Sequence, residues 1–199
     1  LSYVPCSSKI SIPSWTPSLL INKYTVKIFN FLYYNLQFKK IKKSKLSFDR
    51  FFYPLDGLNN WNNLYGKNGF IQYQFILPKE QSYKGMNEIL KFIASEGLFS
   101  FLAVLKLYGE ENENYLSFPL KGYSLAIDFK LSKSLYDVLK KLDKIVLKYK
   151  GRIYLSKDVR INKEDFEMNY SKINQFRNIR EKYQMNKKFQ SLQSKRVKI

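Results

Sequence analysis

The sequence contains no histidine and a single cysteine, Cys6. Without imidazole there is no histidine general acid or base, no Ser-His or Cys-His nucleophile, and no zinc centre that needs a nitrogen ligand. One cysteine excludes an intramolecular disulfide and suits a reducing compartment. There are eight glycines in 199 residues and no glycine-rich loop, so the sequence carries no dinucleotide or flavin phosphate cradle. No apolar run approaches 18 residues, so no segment reads as a membrane span. The chain opens on Leu1 with no signal peptide, which predicts a processed or truncated product. Acidic residues are also missing from whole stretches. Residues 1–48 hold eight lysines and no acid, and the six basic residues after Glu181 have none beside them.

What is present is apolar and basic: 45% hydrophobic, 17% aromatic, with a formal charge of +19. That hydrophobic content can bury one sizeable core, which disfavours general disorder. From Asp49 to Glu181 the balance is only 21 basic against 16 acidic residues, so the charge excess sits in the two ends. Its densest part is Phe38-Lys39-Lys40-Ile41-Lys42-Lys43-Ser44-Lys45. This run is either a solvated loop or a patch for an anionic lipid or a phosphate-bearing substrate.

Hydrophobic periodicity is clearest between Phe70 and Ser156. Phe70–Leu77 is aromatic and β-branched and stops at Pro78, which predicts a strand. Met86, Ile89, Leu90 and Ile93 fall at helical spacing within Ser82–Glu96, closed by Gly97. Leu98–Tyr108 and Gly122–Phe129 read as strands two and three. Leu135, Val138, Leu139, Leu142, Ile145, Val146 and Tyr149 make one stripe of a second helix, with Gly151 at its C-terminal cap. Arg152–Ser156 is the fourth strand. The order β-α-β-β-α-β predicts an α+β, ferredoxin-like fold: a four-stranded antiparallel sheet with both helices on one face. A helical, lysine-rich segment over 1–50 precedes this 51–160 domain. A C-terminal helix near Tyr170–Tyr183 and a basic tail fill 161–199.

Strand alternation then sorts the faces. Ile71, Tyr73, Phe75 and Leu77 form an apolar side fit to meet the helices, as do Phe99, Phe101, Ala103, Leu105 and Leu107. The opposite side gathers Gln72, Gln74, Lys106, Ser124 and Asp128, with Val104 among them. Unpaired amides and an ammonium are costly to bury, about 1–3 kcal/mol for each unsatisfied group. This face is therefore either solvated or met by a polar ligand or another domain. A ferredoxin-like sheet with Lys121-Gly122-Tyr123 opening its third strand also suggests an RNA-recognition module. There, however, the third, fifth and eighth positions are Tyr123, Leu125 and Asp128. Phe129 is one residue out of register, on the wrong face for stacking. No sequence-specific nucleic-acid partner is expected.

Several blocks resemble, in order, the decaprenylphosphoryl-ribose 2-oxidase family of FAD-dependent oxidases, within the vanillyl-alcohol-oxidase group. They are Pro13-Ser14-Trp15, Phe29-Asn30 with Tyr33-Tyr34, Phe52-Tyr53-Pro54-Leu55-Asp56, Trp61-Asn62, Leu64-Tyr65-Gly66, Gly69–Phe75, Ser100–Lys106, Leu116–Pro119, Gly122-Tyr123 with Asp128-Phe129, and Gly151–Asp158. The resemblance implies that this chain is the C-terminal, substrate-binding half of such an enzyme, lacking the domain that holds most of the FAD. It further implies hydride transfer from C2 of a polyprenyl-phosphate-linked pentose to the flavin. A short-chain dehydrogenase/reductase partner would then act on the keto sugar in cell-envelope synthesis. The protein would lie in the cytoplasm or peripherally on the inner face of the membrane. By the same resemblance Lys157 is catalytic and lies beside the cofactor, Tyr154 is a second cofactor neighbour, and Gln72, Gln74, Val104, Lys106 and Ser124 line the substrate pocket. A sugar-lactone oxidase is the related alternative, but its C-terminal motif contains a histidine that this sequence lacks.

Overall fold

The computed structural model describes residues 10–17, 20–36, 38–41 and 43–199. Cys6 and Lys42, both singled out above, lie outside them. The chain divides into two compact units: residues 1–70 with 99–101, and residues 71–98 with 102–199.

In the first unit, β1 (Ile10–Ser11) pairs parallel with β2 (Leu58–Asn59). The expected N-terminal helix is α1 (Lys23–Asn35). Asn22 caps it by accepting from the backbone N–H groups of Tyr24 and Thr25 at 2.8 and 3.1 Å, while the Thr25 hydroxyl accepts from the N–H of Asn22. This reciprocal cap fixes where the helix starts. No residue of α1 is buried, although Tyr24, Ile28, Phe29, Phe31, Leu32, Tyr33 and Tyr34 are all on it. A short α2 (Phe48–Phe52) follows, then two 3-10 turns, Pro54–Gly57 and Trp61–Tyr65. The second turn buries Tyr65, whose ring stacks on Phe70 at 4.6 Å and meets Trp61 edge-on at 6.3 Å.

The second unit is the ferredoxin-like part. Its elements run β3 (Phe70–Pro78, all but its first residue), α3 (Lys79–Ser95), β4 (Ala103–Tyr108), β5 (Gly122–Lys130), α4 (Leu135–Lys148) and β6 (Arg152–Ile153). The spatial order β4-β5-β3-β6 places the first and third strands of the motif at the centre. Both outer strands run antiparallel to their inner neighbours. Tyr73, Phe75 and Leu77 from β3 join Leu125, Ile127 and Phe129 from β5 in one core with Ile89 and Ile93 of α3 and Leu135, Leu139, Leu142 and Val146 of α4. Parity thus put Tyr73 on the correct side, and its hydroxyl donates to the buried Asp143 carboxylate of α4 at 2.8 Å.

Three expectations need correction. The second strand begins at Ala103 rather than Leu98, and its apolar side does not meet the helices. Leu105 and Leu107 are 59% and 65% exposed even though Leu105 lies opposite the buried Leu125. As an edge strand, β4 shares the helix-side face without sharing the helix cover. The fourth strand is two residues long, and Leu155–Lys157 turns into a 3-10 helix instead of extending it. Finally, Gly151 is not the left-handed cap of α4. Lys150 takes that conformation, at φ 54°. Gly151 is required for space, because a Cβ there would sit 2.7 Å from the Ile76 carbonyl oxygen. Gly97 does adopt the left-handed conformation, φ 68°, as its place after α3 demands.

The C-terminal segment belongs to this unit's core. It comprises α5 (Lys163–Asn169), α6 (Ile173–Lys182), α7 (Met185–Lys188) and α8 (Leu192–Val197). Phe166, Ile173 and Val197 are buried in the same core. Asn169 and Tyr170 also finish the short edge strand: the Asn169 side-chain oxygen Oδ1 accepts from the N–H of Ile153 at 2.7 Å, and the Tyr170 hydroxyl donates to the Ile153 carbonyl at 2.7 Å.

Candidate functional site

The polar side of the sheet is assembled by register. Lys106 lies opposite Ser124 and Val104 opposite Ala126, and opposed residues of an antiparallel pair share a face. The Gln74 amide donates to the Ser124 hydroxyl at 3.1 Å, and the Gln72 amide donates to Asp128 at 2.8 Å. Gln72, Gln74, Val104, Lys106 and Ser124 therefore converge on one surface, as their alternation predicts. Their environments differ. Gln74, Ser124 and Asp128 are buried, Gln72 and Val104 are half-buried, and Lys106 is exposed. The amides expected to need an outside partner find hydroxyl and carboxylate partners on the adjacent central strand, which satisfies one N–H of each within the sheet.

Beyond β6 the chain reaches the two residues assigned to the cofactor. The Tyr154 N–H donates to the Gln74 carbonyl at 2.9 Å, which brings Tyr154 beside the polar face. Its ring packs on Phe118 at 4.3 Å, and Phe118 meets Tyr108 edge-on at 6.0 Å. These three aromatic rings form a wall that the sequence-based reading passed over, because Phe118 lies in a loop without strand periodicity. Lys157 ends the 3-10 turn and donates its N–H to the Tyr154 carbonyl at 3.1 Å. Its side chain is exposed and, among the described residues, forms no ion pair.

Chemically, the arrangement is a set of fixed hydrogen-bonding groups that share a face with Lys106, next to an aromatic wall at Tyr154, three residues before the exposed Lys157. It suits a hydroxylated, anionic ligand. Among the described residues the left-handed glycines are Gly66, Gly69 and Gly97, and none opens a helix in the manner of a phosphate cradle. No group of three or more His, Cys, Asp or Glu side chains among the described residues could hold a metal ion. Tyr123, the lead residue of the RNA-recognition alternative, lies opposite Leu107 on the side of the sheet that Leu125 buries against the helices.

The turn's surroundings are strongly coupled. Asp143 accepts from Tyr73 and from both terminal nitrogens of Arg160, whose guanidinium is nearly buried. Burial pushes the Asp143 carboxyl above its ordinary range, against the guanidinium and phenol that pull it down. The Tyr73 and Tyr170 phenols are likewise pushed up, by burial first.

No family model matches the chain. Over 190 residues, 96% of this chain, it is 33% identical to decaprenylphosphoryl-β-D-ribose oxidase of Mycolicibacterium smegmatis (strain ATCC 700084 / mc(2)155). It spans 41% of that protein's length. It is also 28% identical over 96 residues, 48% of this chain and 26% of the relative, to an uncharacterized protein in the mprA 5′ region of Streptomyces coelicolor. The family resemblance seen in the sequence blocks is thereby borne out along nearly the whole chain.

Proposed function

Taking kinship with decaprenylphosphoryl-β-D-ribose oxidase as the premise, we propose that this chain is the substrate-binding half of an FAD-dependent oxidoreductase that oxidises the C2 hydroxyl of a polyprenyl-phosphate-linked pentose. The observation that carries the reading is the near-complete coverage of this chain by an oxidase relative. The polar sheet face running into the Tyr154–Lys157 turn supports it. FAD, when bound, supplies the hydride acceptor. Its phosphates are assigned to a separate FAD-binding domain, in the same longer protein or another polypeptide. This chain's residues do the rest. Lys157 holds a fixed positive charge where negative charge develops on the reacting groups, a contribution that needs no reorganisation during the reaction. Tyr154 packs beside it. Gln72 and Gln74 orient the sugar hydroxyls, the buried Ser124 holds the Gln74 amide in place, Val104 packs against the pentose, and Lys106 pairs with the phosphate. The keto sugar formed would pass to a short-chain reductase partner in cell-envelope synthesis.

A peripheral membrane contact fits a lipid-linked substrate. Phe38 is 91% exposed and alternates with Lys39, Lys40, Ile41, Lys43 and Lys45, all exposed, a mixture suited to an anionic bilayer surface. No helix among the described residues is long and apolar enough to cross a membrane.

The test is anaerobic flavin bleaching in the full-length, flavin-containing protein. A polyprenyl-phospho-pentose should reduce the flavin, and Lys157→Met should slow that step about 100-fold or more while leaving the fold intact. An unchanged rate in the variant would remove Lys157 from the chemistry. Bleaching by an aldonolactone alone would move the substrate class.

A further inference from the structure

The turn that carries Lys157 is held by one short helix near the C-terminus. Lys157 is exposed, but the backbone on both sides of it is not free. The Gln193 amide donates to the Leu155 carbonyl at 2.8 Å. Arg196 spends its whole guanidinium on the other side: Nε donates to the Ile161 carbonyl at 3.0 Å, one terminal nitrogen to the Val159 carbonyl at 3.0 Å, and the other to the Asp158 carboxylate at 2.5 Å. That carboxylate is only 1% exposed, and its second oxygen accepts from the N–H groups of Arg160 and Ile161 at 2.9 and 2.8 Å. α8 is itself anchored. Ser191 and Ser194 cap it reciprocally, and Val197 is fully buried. A planar fork with donors in fixed directions can span three acceptors at once, which an ammonium cannot.

We infer that Arg196, with Gln193, is a positioning residue: α8 clamps the 155–161 turn and thereby sets where the Lys157 ammonium stands. This rests on the proposed role of Lys157. It also gives part of the basic tail a task other than attracting anions.

The experiment is a double-mutant cycle in the full-length, flavin-containing protein, reading anaerobic flavin reduction and thermal stability. Arg196→Lys keeps the charge and loses the fork. It should slow flavin reduction about 10-fold to 100-fold, the scale of a misplacement near 1 Å, with little change in substrate affinity. In a Lys157→Met background the same substitution should add less than about twofold, because a displaced side chain can do no further harm once it is gone. Its cost in stability should be equal in both backgrounds. Gln193→Met, a milder change, should show the same non-additivity and covers the case in which Arg196→Lys fails to fold. If Lys157→Met slows reduction but the clamp variants do not, or if their effects multiply undiminished with it, the positioning role is wrong and the function stands. If Lys157→Met itself changes nothing, the proposed role of Lys157 fails and the inference falls with it.

Discussion

Tyr73 and Gln74 are adjacent in sequence and meet opposite worlds. Tyr73 enters the helix-side core and donates to Asp143, while Gln74 is buried on the polar side against Ser124. Tyr73→Ala should therefore lower stability by about 3–5 kcal/mol and leave substrate affinity unchanged in the flavin-containing protein. Gln74→Leu should instead weaken substrate binding more than it slows flavin reduction, seen as a shift in half-saturation at nearly constant limiting rate. The reverse pattern would invert the assignment of the faces. Parity was legible in the sequence here because both strands are long and central. The partners were not: Asp143 is 70 residues from Tyr73 and 17 from Arg160, and nothing local marks that pair. Arg160→Met leaves a buried carboxylate without its cation and should cost about 3–5 kcal/mol near neutral pH. The sign of its pH dependence follows from the raised carboxyl. Loss of the guanidinium raises the folded-state value further above the unfolded one, so the proton is favoured in the folded state. Stability is then greatest below the ordinary carboxylate value and is lost as pH rises through the higher folded value. The deficit of the variant relative to the parent should shrink as pH falls toward that range, in denaturant titrations at stepped pH.

At the scale of elements, helices were easier to read than strand ends. The α4 stripe is buried at Leu135, Val138, Leu139, Leu142 and Val146 because a 3.6-residue period over four turns has few alternatives. The run from Leu98 to Leu102 is as apolar as the strand after it, and apolarity alone does not mark where pairing stops. The ladder ends with the Asp128 N–H donating to Leu102 at 3.1 Å. The exposed side of β4 makes a contrast that can be measured. Leu105→Thr removes little buried area and places a β-branched side chain, well suited to a strand, on an edge strand, so stability should change by less than about 0.5 kcal/mol. Gly151→Ala, at the join of α4 and β6, forces a methyl group against the Ile76 carbonyl and the Val146 side chain and should cost about 1–3 kcal/mol. Equal costs for the two would contradict the positions of both residues.

For the whole molecule, composition located the charge excess correctly but not the uses of the charges. Part of the C-terminal excess is structural, with Arg196 bound to the Asp158 carboxylate and to the Ile161 and Val159 carbonyls. Lys39, Lys40, Lys43 and Lys45 have no such employment among the salt bridges of the described residues, and the exposed Phe38 and Ile41 stand beside them. If that surface meets lipid, binding should have two separable parts. Each lysine near an anionic bilayer contributes about 1 kcal/mol at moderate ionic strength, so changing Lys39, Lys40, Lys43 and Lys45 to Gln should weaken binding to phosphatidylserine-containing vesicles by more than about 100-fold. The lysine part should fade as salt shortens the screening length from about 10 Å at 0.1 M toward 3 Å at 1 M. Phe38→Ser should instead remove a part that salt does not touch, since burying an aromatic ring is not an ionic term. Co-sedimentation with anionic and with purely zwitterionic vesicles, at low and high salt, separates the two. Equal binding to both vesicle types would leave the lysines without a role at the membrane, and no binding to either would remove the membrane contact from the proposed function.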